Sequence, residues 1–343
     1  MKQSHFSIFL LVALIAGCAG GPPRQGGVVD RQIPAPKEPP APPPVRNEPI
    51  DPALQAAARS EIGAALVSNN ELIRMHAVEA AQNGLGASDP SIYLHGLKDP
   101  APTVRFASAM SVGHLKIAQA RDELLQMVND PNIHVRIGVR YALHRLGDKQ
   151  YSKDLEGTAK DPQWQVRSET ARVLGLLGEP TAVRVLKPML RDSEPSVRLQ
   201  AADSLWRLGN QEGLRVLVSA SASGYPDDQM IALLGLAGPK DSRVLGHLRA
   251  ALTADYPEVC VVAARAMGDC GSDAGYAVAV DAAGSKDPGQ RFRAAIALGA
   301  IGRSDAQPYL ATLLKDKDSQ DVRLSAAQAI LQLKAPVASA RGE

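Results

Sequence analysis

The chain has 343 residues, of which 45% are hydrophobic and only 4% are aromatic, so a core has to be built mainly from Ala, Leu, Val and Ile. The 38 basic residues nearly balance the 36 acidic ones, which leaves a formal net charge of +2. This balance argues against a nucleic acid or an acidic surface as the partner.

Residues 1–17 have the pattern of a secretion signal: Lys2 precedes the apolar run FSIFLLVALIA, which is too short to span a bilayer as a helix. The following LIAGC resembles the lipobox of bacterial lipoproteins. The resemblance implies cleavage before Cys18 and attachment of acyl chains such as palmitate. Ala19, rather than Asp, follows Cys18, and this resembles the default route to the outer membrane, facing the periplasm, in Gram-negative hosts. The alternative is an ordinary signal peptide with a chance cysteine.

Residues 18–50 are rich in proline and poor in large apolar side chains, as in IPAPKEPPAPPPVRNEP. Such a segment cannot bury enough surface to fold, so we expect a disordered tether. Proline density favours an extended chain of about 3.1 Å per residue, which would hold the following domain away from a membrane. A proline-rich ligand for another protein is the alternative.

From residue 51 to residue 334 one motif returns about every 31 residues, and a period of this length indicates a solenoid. An Arg marks the motif in seven of nine units, whereas Asp227 and Cys260 stand at the corresponding place in two. The seven are Arg74, Arg105, Arg136, Arg167, Arg198, Arg291 and Arg323. Residues 335–343 lie outside the repeats and are expected to form a flexible tail.

Each unit reads as two helices. In the unit around Arg198, TAVRVLKPMLRD forms a first helix and SVRLQAADSLWRLGN a second, whose apolar residues follow a period of 3.6. Gly209 ends the second helix and suits a left-handed cap. Small residues three or four places after the Arg allow neighbouring helices to approach closely.

The motif LxDPxxxVRxxAxxxLGxLG, seen in KDPQWQVRSETARVLGLLGE, resembles the HEAT repeat, in the short form found in phycobilisome lyases. The resemblance implies an all-α, right-handed solenoid of about nine HEAT-like helix pairs. First helices would lie on its convex side, and second helices would line its concave side.

The recurring Asp and Arg of this motif predict a structural ladder, because in HEAT repeats these two residues typically bond between adjacent units. The Asp stands before the second helix, where its carboxylate can accept backbone N–H bonds, and the Arg needs a carboxylate partner. An Arg row that binds an anionic polymer is the alternative. The predicted ladder residues are Asp99, Arg105, Asp130, Arg136, Asp161, Arg167, Asp192 and Arg198.

Specificity is expected where the units differ. Positions two, five and nine after the Arg lie opposite the predicted core, and in the middle units they carry mixed charge, which suits protein recognition. A solvated helix face with ion pairs inside each helix is the alternative. The candidate partner-binding residues are Tyr141, Arg145, Glu169, Arg172, Gln200, Asp203 and Arg207.

The unit around Asp227 lacks the Arg, and we interpret it as a bend, with a partner site or tolerated decay as alternatives. Cys260 and Cys270 would be about 15 Å apart on one helix, beyond the reach of a disulfide, and read as core residues. No catalytic residue, metal ligand or cofactor is predicted, because the sequence has no HExxH, GxSxG, GxxxxGK[ST] or CxxC motif.

We therefore predict a non-catalytic scaffold, anchored to a membrane of the cell envelope by its lipid alone, that binds a protein partner through its concave helical face. No nucleic acid or small-molecule substrate is indicated. A structural assembly factor of an envelope complex without a discrete groove is the alternative, and an enzyme of the phycobilin lyase type is a more distant one.

Overall fold

A computed structural model of the protein describes residues 43–44 and 48–334. The predicted signal peptide at 1–17, Cys18, most of the predicted tether at 18–50 and the predicted tail at 335–343 lie outside these residues. In the described part of the chain, no helix is both long enough and apolar enough to cross a membrane.

The described chain is helical throughout, and its helices alternate between a first and a second helix in nine pairs. The first helices are α1 (Pro52–Leu66), α3 (Ser91–Gly96), α5 (Arg121–Gln126), α7 (Leu155–Thr158), α9 (Val183–Met189), α11 (Gln211–Ala220), α13 (Leu245–Ala250), α15 (Tyr276–Ala283) and α17 (Gln307–Leu313). The second helices are α2 (Glu71–Gly84), α4 (Pro102–Leu115), α6 (Ile133–Arg145), α8 (Trp164–Leu177), α10 (Pro195–Arg207), α12 (Pro226–Ala237), α14 (Pro257–Asp269), α16 (Pro288–Ile301) and α18 (Gln320–Gln332). The predicted all-α solenoid of nine pairs is confirmed.

Local sequence fixes where the second helices end. Gly178, Gly209 and Gly302 follow three of them with φ between 72° and 77°, the left-handed region in which glycine has no side chain to clash. The cap predicted at Gly209 is confirmed. Lys116 and Lys240 adopt the same conformation in their units, with φ of 55° and 59°, which is less favourable for a residue with a side chain.

Second helices of adjacent units pack directly on one another. Small residues make this possible: a Cβ atom added to Gly175 in α8 would lie 2.5 Å from the Ser204 Oγ of α10. Alanines at the predicted small positions, such as Ala171 and Ala201, are fully buried. The core therefore runs without interruption between the two helices of each unit and between units.

The two ends of the solenoid meet, and the sequence pattern does not predict this contact. The last second helix, α18, packs against both α1 and α2 of the first unit. The second helices thus form a closed inner ring, and the first helices surround it. An added Cβ at Gly84 in α2 would lie 3.2 Å from the Leu331 Cβ of α18, so the seam is as tightly packed as an internal contact.

The end of the predicted tether belongs to this seam. Residues 43, 44, 48 and 49 hydrogen-bond to the ninth unit through the side chains of Arg303, Ser304 and Gln307. Ile50 has no such bond but packs against the core. The prediction of disorder up to residue 50 is therefore wrong at these five residues, because four of them have backbone partners and one has an apolar contact that the sequence pattern does not reveal.

Ring closure predicts a specific cross-link. In the chain with Gly84→Cys and Leu331→Cys, the two Cβ atoms lie within a few tenths of an ångström of the separation typical of a disulfide. We expect mild oxidation to give an intramolecular disulfide and faster migration on a non-reducing gel. The single variants, which retain the native Cys260 and Cys270, are the controls. An open solenoid would leave the double variant unlinked or linked only between chains.

Candidate functional site

The recurring Arg connects each second helix to two units at once. Arg167 donates from Nη1 to the backbone carbonyl of Asp161, at 2.9 Å, in its own unit. Its Nε and Nη2 donate to the Asp192 carboxylate of the next unit, both at 2.7 Å. Asp192 also accepts the backbone N–H of Glu194, and the Arg167 fork holds the pKa of this carboxyl below its usual value. The arrangement fixes the turn and the spacing between units together.

The same two-armed contact is present along most of the ring. Forked Arg–Asp pairs join adjacent units at Arg74 with Asp99 and at Arg105 with Asp130. Arg136 donates to the carbonyls of its own unit's turn. Arg198 does the same, and Ser223 stands where the next unit would carry its Asp. The assignment of Asp227 to the Arg position of that unit is wrong, because Gln229 occupies the fourth place of the helix and donates to the Ser223 carbonyl. Within a unit the Arg therefore binds the carbonyl of its Asp, while the carboxylate serves the preceding unit.

The ladder continues across the seam. Arg291 pairs with Asp316 of the ninth unit at 2.6 Å. Arg323 of the ninth unit then pairs at 2.9 Å with Glu61, which lies on α1 of the first unit. A carboxylate from a helix thus replaces the Asp of the repeat, since the first unit carries Asn69-Asn70 in place of Asp-Pro.

The expectation of an exposed face at positions two, five and nine after the Arg is wrong. Tyr141, Glu169, Arg172 and Gln200 are at most 8% exposed, because these positions face the interior of a closed ring. Tyr141 fills space left by the missing Cβ of Gly113 on the neighbouring helix.

The remaining three candidates, Arg145, Asp203 and Arg207, are half-buried. Asp203 and Arg207 pair at 2.9 Å within α10, as Glu169 and Arg172 pair at 3.2 Å within α8. The structure therefore contains the ion pairs of the alternative interpretation, although they are shielded from water rather than solvated. Contact of these seven residues with a partner stays a prediction. The solvent exposure on which that prediction was based is absent from the structure.

Residues from several units meet inside the ring and form what we call the central cluster. His76 Nδ1 lies 2.6 Å from Asp321 Oδ1, which joins α2 to α18. His134 Nδ1 lies 2.5 Å from Glu169 Oε2, which joins α6 to α8. The Arg172 guanidinium lies 5.9 Å from the ring centre of Phe106 on α4. The cluster comprises His76, Glu79, Phe106, His134, Glu169, Arg172 and Asp321.

Protonation in the central cluster follows from burial and from these pairs. Burial lowers the pKa of His76, but its hydrogen bond to Asp321 and the negative charge nearby raise it, and the net direction is upward. The hydrogen bond to Glu169 raises the pKa of His134. Glu79 has a solvent-inaccessible Oε1 without a hydrogen-bond partner, and burial raises its pKa to about 8 against the charges of His76 and Arg172. At neutral pH the Glu79 carboxyl is therefore largely protonated.

The central cluster has the properties of a structural element. Its imidazoles and its guanidinium are engaged by carboxylates or by a ring face, and they link helices of different units. Among the described residues there is no group of three or more His, Cys, Asp or Glu arranged to hold a metal ion. Cys260 and Cys270 are free and only half-buried, so they are less buried than predicted.

An aromatic turn lies on the exposed surface of the irregular unit. Tyr225 directly precedes α12 and is 44% exposed. Tyr256, at the start of α14, donates from its hydroxyl to the Gly224 carbonyl at 3.2 Å, which brings the turns of the sixth and seventh units together. Asp227 and Asp255, which lie within two residues of these tyrosines in the sequence, are exposed. We call Tyr225, Asp227, Asp255 and Tyr256 the tyrosine turn. The bend predicted for this unit stays a prediction.

Sequence reasoning missed three sets of residues for different reasons. His76 and Glu79 occupy positions two and five of the first unit, so applying the same spacing to that unit would have found them. Tyr225 is visible only as a departure from the repeat. Arg303 and Gln307 contact residues more than 250 positions away, and no local pattern indicates such a contact.

A family model for HEAT repeats matches residues 91–165, 152–237 and 245–331, which together span more than half of the chain. The chain belongs to the HEAT-repeat family. No curated protein matches it in sequence. The HEAT assignment agrees with the nine helix pairs and with the Asp–Arg ladder.

Two solved structures illustrate the similarity. The complex of CpcE and CpcF of phycocyanin lyase from Nostoc sp. PCC7120 is 19% identical, with a TM-score of 0.45, and the match covers 69% of this chain and 97% of that one. Human deoxyhypusine hydroxylase in complex with glycerol is 22% identical, with a TM-score of 0.37, and the match covers 72% of this chain and 96% of that one.

The Asp–Arg ladder predicts that replacing two of its arginines by alanine lowers the unfolding free energy by different amounts. Arg167→Ala removes a half-buried fork and leaves the Asp192 carboxylate without it, which we expect to cost roughly 1.5–3 kcal/mol of unfolding free energy. Arg198→Ala removes only bonds to carbonyls, so its cost should be about half as large. Urea unfolding followed by circular dichroism measures both. Equal losses, or no loss for Arg167→Ala, would contradict the ladder.

The raised pKa of Glu79 predicts that this residue makes the stability of the fold depend on pH. A carboxyl with a higher pKa in the folded than in the unfolded state destabilises the fold as pH rises from about 4.5 to about 8. Glu79→Gln keeps the shape and removes the titration. Its melting temperature should match the parent at pH 5 and exceed it by several degrees at pH 8.5. Glu71→Gln, at an exposed site on the same helix, controls for loss of a charge, and a pH-independent difference for Glu79→Gln would refute the assignment.

Proposed function

We propose that the protein is a non-catalytic scaffold of the cell envelope, anchored to the outer membrane through lipid on Cys18, that binds a protein partner in the periplasm. HEAT repeats commonly mediate protein interactions, and a ring of stacked helices holds its surface residues in fixed positions. The lipobox-like LIAGC supports the anchor.

The tyrosine turn is the surface that best supports partner binding, and the exposure of Tyr225 is the observation that carries this proposal. The concave face is closed off inside the ring, so a partner has to approach from a rim or from outside. Tyrosine supplies a large contact area with little loss of side-chain freedom, and it is enriched among residues that dominate interface energy.

The charge of the tyrosine turn indicates the kind of partner. Asp227 lies two residues after Tyr225, Asp255 directly precedes Tyr256, and both carboxylates are exposed. Carboxylates at the rim of an interface favour a positively charged partner, mainly by speeding association. We infer a partner segment that presents Arg or Lys beside an apolar side chain.

Cross-linking in membranes tests the proposal. The lipidated chain should capture one stoichiometric partner, and Tyr225→Ser together with Asp227→Lys should reduce recovery of that partner at least tenfold. Tyr309→Ser is the matched control, since Tyr309 is 41% exposed on the outer helix α17. Equal recovery with all variants would exclude the tyrosine turn. Recovery of no enriched partner would favour an assembly role without a discrete binding surface.

The same preparation tests the anchor. Cys18→Ala should move the chain from the membrane pellet to the soluble fraction, because several acyl chains are needed for stable attachment. If the variant remains in the pellet, lipid on Cys18 is not what holds the protein there, and the scaffold proposal would have to rest on the partner alone.

A further inference from the structure

The side chains of the ninth unit hydrogen-bond to backbone groups of the N-terminal segment. Arg303 donates from Nη1 to the Pro43 carbonyl at 2.9 Å and from Nη2 to the Pro44 carbonyl at 3.2 Å. Gln307 donates to the Pro49 carbonyl at 2.9 Å and accepts the Asp51 N–H at 2.7 Å. Ser304 Oγ accepts the Glu48 N–H at 3.1 Å.

All three side chains are less than 9% exposed with the segment bound, and groups outside the segment orient Arg303. Asp305 binds the Arg303 guanidinium at 2.7 Å and Asp273 binds it at 3.1 Å. The guanidinium also lies 3.9 Å from the ring centre of Tyr276. A guanidinium fixed in this way loses little freedom when it binds a ligand, which favours affinity.

The geometry selects an extended proline-rich ligand. Proline has no backbone N–H, so in an extended polyproline chain the carbonyls are the groups left to recognise. Arg303 binds two consecutive proline carbonyls, and Tyr276 supplies an aromatic face beneath the guanidinium. Aromatic-lined grooves are a known way to bind proline-rich segments, and here the aromatic ring acts by supporting the guanidinium that binds the carbonyls.

The arrangement is not part of the repeated framework. Arg303 is the residue directly after the left-handed cap Gly302. In four sister units this place holds a carboxylate or an amide: Asp148, Glu179, Asn210 and Asp241. Of these five units, only the ninth has a basic residue at this place. The partners of Arg303 are the N-terminal segment and the two carboxylates that orient its guanidinium.

We propose that Arg303, Ser304 and Gln307 form a receptor for an extended proline-rich peptide, that the chain's own residues 43–44 and 48–50 fill it, and that filling it holds the ring closed. The bound segment runs directly into α1, which packs against α18 across the seam. Occupancy of the receptor thus joins the first unit to the ninth. The inference is independent of any partner at the tyrosine turn.

Peptide binding in trans tests the receptor. In the full chain carrying Pro43→Gly, Pro44→Gly and Pro49→Gly, the internal segment loses its preference for the extended form, which should vacate the site. A fluorescent peptide PPVRNEPID should bind this variant at least tenfold more tightly than the parent, whose own segment competes at millimolar effective concentration. Adding Arg303→Ala should abolish binding, whereas adding Arg243→Ala should not.

Arg243 is a matched control because it also lies in a turn over an aromatic ring, 5.3 Å from the ring centre of Trp206, and it binds Asp241. Equal peptide binding with and without Arg303 would overturn the receptor. So would the absence of binding to the triple glycine variant up to 1 mM peptide, a limit of about 4 kcal/mol.

Hydrogen exchange tests the closing role. The triple glycine variant leaves Arg303 and its own unit intact, so a defect in folding of the ninth unit cannot explain its behaviour. Backbone amides of α1 and α17 should exchange at least tenfold faster than in the parent, while those of α8 and α10 stay unchanged. Unchanged exchange in α1 would contradict the closing role, because it would show that the ring closes without the bound segment.

Discussion

Closure of the inner ring is the constraint on which the rest of the molecule depends. An open repeat array has two ends, and each end would expose the apolar side of its terminal helix unless a polar cap covered it. Here α18 covers α1 and α2, so each end acts as the cap of the other. The Arg323–Glu61 pair and the His76–Asp321 contact add polar bonds to the apolar seam. These bonds orient the seam, while burial of apolar surface supplies most of its stability.

Closure also decides what the inner helix faces can do. In an open array, Arg172 and Glu169 would meet solvent and could meet a partner. In a ring of nine helices the same positions converge, and they satisfy one another through ion pairs and ring contacts. Burial makes an unmatched charge expensive, which explains why Glu79, without a hydrogen bond on Oε1, is held in its protonated form. The surface available for recognition therefore moves to the rims and to the outer helices.

The features that could be predicted from the sequence are those that recur in many units, whereas contacts that occur in a single place were missed. The helix pairs, the Gly209 cap and the Arg167–Asp192 fork follow from local patterns that return in many units, so each unit supports the inference from the others. The closing contacts have no such support. Glu61 replaces an Asp of the motif from a different helix, and the residues joined by Arg303 are separated by about 260 positions. The inward-facing positions were chosen correctly by periodicity, but periodicity cannot tell a groove from the interior of a ring.

Two departures from the repeat, at Ser223 and at Arg303, have physical consequences of their own. Where Ser223 replaces the Asp, the ladder bond is lost, and two tyrosines and exposed carboxylates stand at the resulting turn. Arg303 stands where four sister units carry a carboxylate or an amide, and two of these, Asn210 and Asp241, cap the helix that follows. Arg303 makes no such cap bond and instead binds the chain's own N-terminal segment. In both places the repeat gives up a local stabilising contact. Neither change is required for stacking. At Arg303 the change is explained by the segment that it binds, and this segment is the one that continues toward Cys18.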